Sequence, residues 1–283
     1  MRRTSMDEEH PVPDRNGIGG STRPRPAINT TVAHNARVWD YWLGGEDNFA
    51  VDRQVGDRIR ARFPVISDVA AGSRQFLIRS VRYLAGEAGI RQFLDLGTGL
   101  PTVNSTHEVA QAIAPESRVA YVDNDPLVLV HARALLTSGS KGLTDYVDAD
   151  VHDPEAVLAG AARTLDLSLP VAVMMLGVLN FVHADTDARR IVRRVMAAVP
   201  SGSYLALSHP TLELGGEPHG PAIAFWNERS TPKTRARSGA EVAALLTGLD
   251  LVAPGLVSCP RWRPDDDGEP AEMPLWGAVA RKR

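Results

Sequence analysis

Phe93-Leu-Asp-Leu-Gly-Thr-Gly99 passes within seven residues from an apolar run to a pair of glycines. Gln92 to Leu96 has the length and composition of a buried strand. Gly97 and Gly99 remove Cβ atoms where the chain must turn sharply and approach a ligand. Working outward, further strand-like runs lie at Arg118 to Val122, Leu143 to Val147, Val171 to Leu176 and Tyr204 to Ser208, with helical stretches between them. Val171-Ala-Val-Met-Met-Leu176 is continuously apolar, as a strand covered on both faces requires. The alternation predicts a doubly wound α/β fold.

Ser105-Thr-His-Glu108 and Ser238-Gly-Ala-Glu241 read as capping boxes that open helices. Leu249 to Val257 and Leu275 to Ala280 form a closing pair of strands, with Pro- and Asp-rich residues 260 to 274 as their exposed loop. Upstream of Phe93 the pattern is helical. Val32, Ala36, Trp39 and Leu43 recur at helical spacing from Thr30 and stop at Gly44-Gly45. A second helix is expected over Ala50 to Arg62 and a third over Ser67 to Ala85. Residues 1–28 carry four prolines, three glycines and almost no large apolar side chains, so they are expected to form a disordered tail or to dock on a partner. The expected organisation is a tail (1–28), a helical N-terminal segment acting as a lid (29–88) and an α/β domain (89–283).

With 43% hydrophobic and 23% charged residues, the chain of 283 residues has the makeup of a soluble globular protein. Thirty-one Lys and Arg against 34 Asp and Glu leave a net charge of -3, which offers no general attraction for nucleic acid or anionic membranes. Cys259 is the one cysteine, which excludes an intrachain disulfide and a multi-cysteine metal site and fits a reducing compartment. Its simplest place is inside a late strand. No apolar run approaches the roughly 20 residues of a membrane span, and no apolar segment follows the basic N-terminus as a secretory signal would need. A cytoplasmic location is expected.

The ligand of such a sheet lies beyond the carboxyl ends of its strands. A dinucleotide fingerprint needs a third Gly or Ala, but Thr102 stands there, preceded by Pro101, which disfavours a pyrophosphate. A nucleoside carrying an amino acid remains, such as S-adenosylmethionine. Asp95 would orient the loop or accept from an ammonium group, with Gly97, Thr98 and Gly99 forming the turn. Val119-Ala-Tyr-Val-Asp123 ends in an acid 24 positions after Gly99, placed to accept ribose hydroxyls, with Asn124 beside it. Asp125-Pro126 reads as a helix cap. Asp150 would accept from an adenine amino group while Val151 packs on the ring, and Asp153-Pro154 reads as another cap.

These three acidic strand ends resemble class I methyltransferases. More narrowly, Ala36-Arg-Val-Trp-Asp-Tyr-Trp-Leu-Gly-Gly-Glu-Asp-Asn-Phe-Ala-Val-Asp52, Phe93 to Thr102 and Tyr121-Val-Asp-Asn-Asp-Pro126 resemble an actinobacterial family of S-adenosylmethionine-dependent methyltransferases of unknown substrate, over about residues 29 to 281. The resemblance implies a Rossmann-like seven-stranded sheet with its last strand antiparallel. It also implies a cofactor pocket at Asp95, Gly97, Gly99, Asp123 and Asp150. A binder that holds the cofactor without turnover is the competing expectation.

On the acceptor side, methyl transfer is an in-line displacement that alignment and water exclusion can accelerate. The fourth strand ends Met175-Leu-Gly-Val-Leu-Asn-Phe-Val-His183, where Gly177 would give clearance near the cofactor. No Asn/Asp-Pro-Pro-aromatic motif follows it, which argues against planar amino groups of nucleic acids and proteins as acceptors. A small-molecule acceptor is expected. Asn180 and His183 are candidate polar contacts, or Asn180 caps a helix. His209 is the candidate general base, since an imidazole takes a proton near neutral pH; the other reading is a hydrogen-bonded loop histidine, and His107 and His152 have weaker claims. No histidine pair has zinc-ligand spacing, so no metal is expected. Tyr41 and Asn48 either touch methionine or adenine from the lid or serve helix packing. Residues 210–237 form an insertion beside the pocket mouth.

Overall fold

The computed structural model describes residues 28–135, 142–215, 219–265 and 268–283. Apart from Ile28, the expected tail lies outside the described residues. In chain order, β1 (Ala33–His34), α1 (Asn35–Trp42), α2 (Ala50–Arg60) and α3 (Ile66–Arg82) make the N-terminal segment. The alternating part follows as β2 (Gln92–Leu96), α4 (Thr106–Ile113), β3 (Arg118–Asp123), α5 (Pro126–Leu135), β4 (Leu143–Asp148), α6 (Pro154–Ala161), β5 (Ala172–Leu176), α7 (Asp185–Ala197) and β6 (Tyr204–Pro210). The chain closes with α8 (Gly220–Arg229), β7 (Ser230–Thr231), α9 (Gly239–Leu245), β8 (Leu249–Leu251), β9 (Val257–Ser258) and β10 (Leu275–Lys282).

The main sheet runs β4-β3-β2-β5-β6-β10-β8, with short β9 also on β10. β2 pairs in parallel with β3 on one side and β5 on the other, and β10 is antiparallel to β6 and β8. The sheet is therefore the expected doubly wound type, with seven strands along its path and β9 as an extra pairing. Chain order reverses direction between β2 and β5, which opens a crevice at their carboxyl ends. Side chains alternate between two cores. Leu94, Val173, Met175, Leu205 and Leu207 pack under α6, α7 and α9, while Phe93, Tyr121, Met174 and Ala206 pack under α3 and α4. Both faces are covered, which accounts for the unbroken apolar composition of the central strands.

A third, smaller core stands above the strand ends. Val38, Val55, Ile59, Phe63 and Val69 of the N-terminal segment meet Ala222 and Trp226 of α8. β1 pairs in parallel with β7, Ala33 opposite Ser230 and His34 opposite Thr231. The N-terminal segment and the insertion thus form one cap. Inside it Arg37 and Asp52 are buried together, Nε to Oδ2 at 2.9 Å, and Asp52 also accepts from the backbone N–H groups of His34 at 3.0 Å and Phe49 at 2.8 Å. Burial of this pair is sustained by those extra hydrogen bonds.

Several boundaries differ from the sequence reading for identifiable reasons. The first helix starts at Asn35 rather than Thr30, because Ala33 and His34 are extended against β7. The third continues past Gly86 as a wider turn over Tyr83–Glu87 and ends at Gly89, whose φ is +69°. The strand expected over Leu249 to Val257 is broken into β8 and β9 around Pro254-Gly255. Cys259 is buried, as expected, but in a helical turn just after β9. The loop 260–274 is not wholly exposed: Trp262 is fully buried, edge-on to Phe76 at 5.6 Å. Both capping boxes form, with Ser105 N donating to Glu108 at 2.9 Å and Ser238 N to Glu241 at 2.8 Å.

Candidate functional site

Between the cap and the carboxyl ends of β2, β5 and β6 lies a cavity. Its floor is Asp95, the Gly97 to Thr102 loop, Tyr121, Tyr146, Gly177 and Ser208; its roof includes Trp39, Asp40, Trp42, Phe63 and Trp226. The loop after β2 owes its shape to its glycines. Gly97 has φ +73°, and a Cβ there would lie 2.6 Å from Val178 Cγ2, so this glycine lets the loops after β2 and β5 touch. Gly99 has φ +66°, and nothing lies within 4 Å of where its Cβ would be. Its backbone is bare toward open space, as close approach of a ligand requires.

Asp95 is buried and accepts from Thr106 Oγ1 at 2.6 Å. Burial pushes its pKa up to about 6, opposed by the Thr106 hydroxyl and the Arg74 cation. Arg74 also lines the cavity, and its guanidinium donates to the carbonyls of Thr102 at 3.3 Å and Val103 at 3.0 Å, tying α3 to the loop. Burial lowers its pKa, and Asp95 works against that. From the roof comes a second carboxylate, Asp40. Burial raises its pKa although Asn48 donates to it at 2.9 Å.

Asp123 stands beside the cavity rather than in its wall. One carboxylate oxygen accepts from Gly99 N at 2.8 Å and the other from Asp125 N at 2.9 Å, so this side chain fastens the Gly loop to the end of β3. Burial raises its pKa against these bonds. Asn124 donates to Asp150 at 3.1 Å, and Asp150 also accepts from His152 N at 2.8 Å. Burial pushes Asp150 up, but the bonds from His152 and Asn124 hold its pKa below the usual carboxylate value. Asp123, Asn124 and Asp150 thus form a polar rim over the ends of β3 and β4. Asp125 caps α5 through Leu127 N at 2.9 Å and pairs with His34 of the cap at 2.7 Å. Asp153 caps α6 through Ala156 N at 3.0 Å.

The structure brings Asp95, Gly97, Thr98, Gly99, Gly177 and Asn180 onto one cavity and leaves other expected residues out. His209 is a correction. It is wholly buried, its Nδ1 lies 2.9 Å from Pro210 O, and its Nε2 lies 2.8 Å from the Arg237 guanidinium. Burial, joined by the Arg237 charge, holds its pKa at about 4. Both ring nitrogens are engaged, so His209 acts as a neutral structural bridge and not as a base.

Tyr41 donates to Asp57 at 2.8 Å, with Arg60 over its ring, and so faces away from the cavity. Asn48 serves Asp40 and the Gly45 carbonyl and shapes the loop behind the roof. Val151 is partly buried against the core beneath the sheet. His183 engages the Lys233 carbonyl at 3.0 Å, and His107 engages the Tyr121 hydroxyl at 2.9 Å. Arg74 and Asp40 were missed, because in sequence each is one charge on an amphipathic helix.

The comparisons agree with this geometry. A family model described as S-adenosyl methyltransferase matches residues 21–283. The chain belongs to this S-adenosyl methyltransferase family. Among solved structures, it is 44% identical to a DUF574 family protein from Streptomyces avermitilis, covering 91% of this chain and all of that one at a TM-score of 0.86. It is 38% identical to a Thermobifida fusca protein named as an inferred methyltransferase, covering 93% of this chain and all of that one at a TM-score of 0.84. A search of curated proteins finds no match. Membership makes the chain an S-adenosylmethionine-dependent methyltransferase. The site fits that cofactor: Gly99 leaves open space beside its backbone, and among the described residues no cation forms an ion pair with buried Asp95.

Proposed function

We propose that this methyltransferase acts on a small, largely apolar acceptor that enters the cavity beneath the cap. Trp39, Trp42, Phe63, Phe181 and Trp226 surround that space, and this aromatic wall is the observation that carries the reading. Such walls suit a compact organic body held by a few polar groups. A net charge of -3 supports the same choice over a nucleic-acid acceptor.

The same reading assigns the cofactor residues. Asp95 would hold the amino-acid ammonium group, Gly97, Thr98 and Gly99 would cradle that end, and Gly177 would leave clearance. Asp123 would accept the ribose hydroxyls, and Asn124 and Asp150 would meet the adenine edge. When bound, S-adenosylmethionine supplies a methyl group carried on a positively charged sulfur. The chain's own part is to fix the reactants in line and to keep water out, which the cap does by roofing the strand ends. The N-terminal segment and residues 210–237 serve as the lid.

Among the described residues no helix is long and apolar enough to cross a membrane. A single buried cysteine supports a reducing, cytoplasmic setting.

The test is transfer of a radiolabelled methyl group from S-adenosylmethionine into a fractionated cell extract. Label in the low-molecular-weight fraction is expected. Label confined to protein or nucleic acid would overturn the small-acceptor reading.

A further inference from the structure

Two residues that line the cavity each carry a buried side-chain oxygen with no hydrogen-bond partner among the described residues. Asn180 is 6% exposed and Ser208 is fully buried, yet Asn180 Oδ1 and Ser208 Oγ both lack a hydrogen bond. A buried polar group left unpaired is costly, and a ligand that completes its hydrogen bond relieves that cost. Both residues line the same cavity. Gly177 borders both residues: its N–H donates to the backbone carbonyl of Ser208 at 3.1 Å, and a Cβ on it would lie 3.9 Å from Asn180 Oδ1.

The Asn180 amide is held from behind. Its Nδ2 donates to Thr234 Oγ1 at 2.9 Å, and its backbone carbonyl accepts from Arg235 N at 2.8 Å. These bonds come from the segment that follows β7 and leave Oδ1 as the end without a partner. The described surroundings of this pair include no charged side chain that contacts either atom, while Phe181 and Trp226 supply apolar wall nearby. An acceptor-only oxygen and a hydroxyl offered to one aromatic-walled cavity favour a neutral donor group on an apolar body.

We propose that Asn180 and Ser208 seat the methyl acceptor: Asn180 Oδ1 accepts from its O–H or N–H, and Ser208 Oγ completes the contact. The acceptor class is then a neutral aromatic-sized molecule bearing a hydroxyl or amine. This inference rests on the methyl-transfer reading of the cavity. Asn180 selects and positions the acceptor, and the cofactor is held by other residues.

The probes are 2-naphthol and 2-methylnaphthalene, titrated into the protein saturated with S-adenosylhomocysteine. At least tenfold tighter binding of 2-naphthol is expected, because a site built for a donor rejects the analogue that lacks one. Asn180→Leu should erase most of that preference, with S-adenosylhomocysteine affinity within about twofold. Ser208→Ala, a smaller change, should reduce the preference severalfold and serves if the first variant does not fold. Equal binding of the two probes, absence of binding by either, or a preference that survives in the folded variants would overturn the proposal. Failure of the wild-type protein to bind S-adenosylhomocysteine would instead strike the methyl-transfer reading beneath it.

Discussion

At the residue scale, the two loop glycines separate structural need from ligand need. Gly97→Ala puts a Cβ 2.6 Å from Val178 in a backbone with φ +73°, so it should destabilise the fold itself, by more than the roughly 1 to 2 kcal/mol of left-handed strain. Gly99→Ala meets no protein atom. It should cost about that strain alone while lowering cofactor affinity, and paired urea melts and calorimetric titrations would show the contrast.

Asp95 makes a second prediction. Its folded pKa of about 6 exceeds the unfolded value near 3.8, so burial of the ionised form costs the free protein about 3 kcal/mol. For an acid whose pKa is raised this cost is absent below the unfolded value near 3.8 and is complete once pH has risen through about 6, so stability falls with rising pH across that window. An ammonium group beside Asp95 favours the ionised form. Cofactor affinity should therefore fall as pH drops through about 6, and Asp95→Asn should bind weakly with little pH dependence. Calorimetry between pH 7.5 and 5 reads both; a wild-type affinity that stays flat would contradict the assignment.

At the scale of elements, the cap depends on the buried Arg37–Asp52 pair joining β1, α1 and α2. Asp52→Ala leaves a buried guanidinium without its counter-charge and should lower stability by about 3 to 5 kcal/mol in urea unfolding. A loss under about 1 kcal/mol would show that the cap stands without it. This element also marks where sequence patterns are silent. The strands were legible because a sheet covered on both faces demands continuous apolar runs, and the helix starts because capping chemistry is local. The pairing of Ala33 with Ser230 was not, since two residues of extended chain nearly 200 positions apart carry no period. Asp40 and Arg74 were hidden for a related reason: which face of a helix meets a cavity depends on the partner that roofs it. His209 misled because residue type names a chemistry, whereas burial and the Arg237 contact decide whether that chemistry is available.

At the scale of the whole molecule, the methyltransferase family and the doubly wound sheet place ligand chemistry at the reversal between β2 and β5, and the cap turns that crevice into a cavity. Asp123 links the two levels, since one carboxylate fastens the Gly loop to β3 and is the group assigned to the ribose. Asp123→Ala should weaken cofactor binding by roughly 1 to 3 kcal/mol, as expected for a lost charge-assisted bond. The decisive measurement is a crystal structure with S-adenosylhomocysteine bound. The account predicts the ribose hydroxyls on Asp123, the amino-acid end against Asp95 and the Gly97 to Gly99 loop, and the sulfur facing Gly177. A nucleoside bound elsewhere, or one reversed so that adenine meets Asp95, would contradict it.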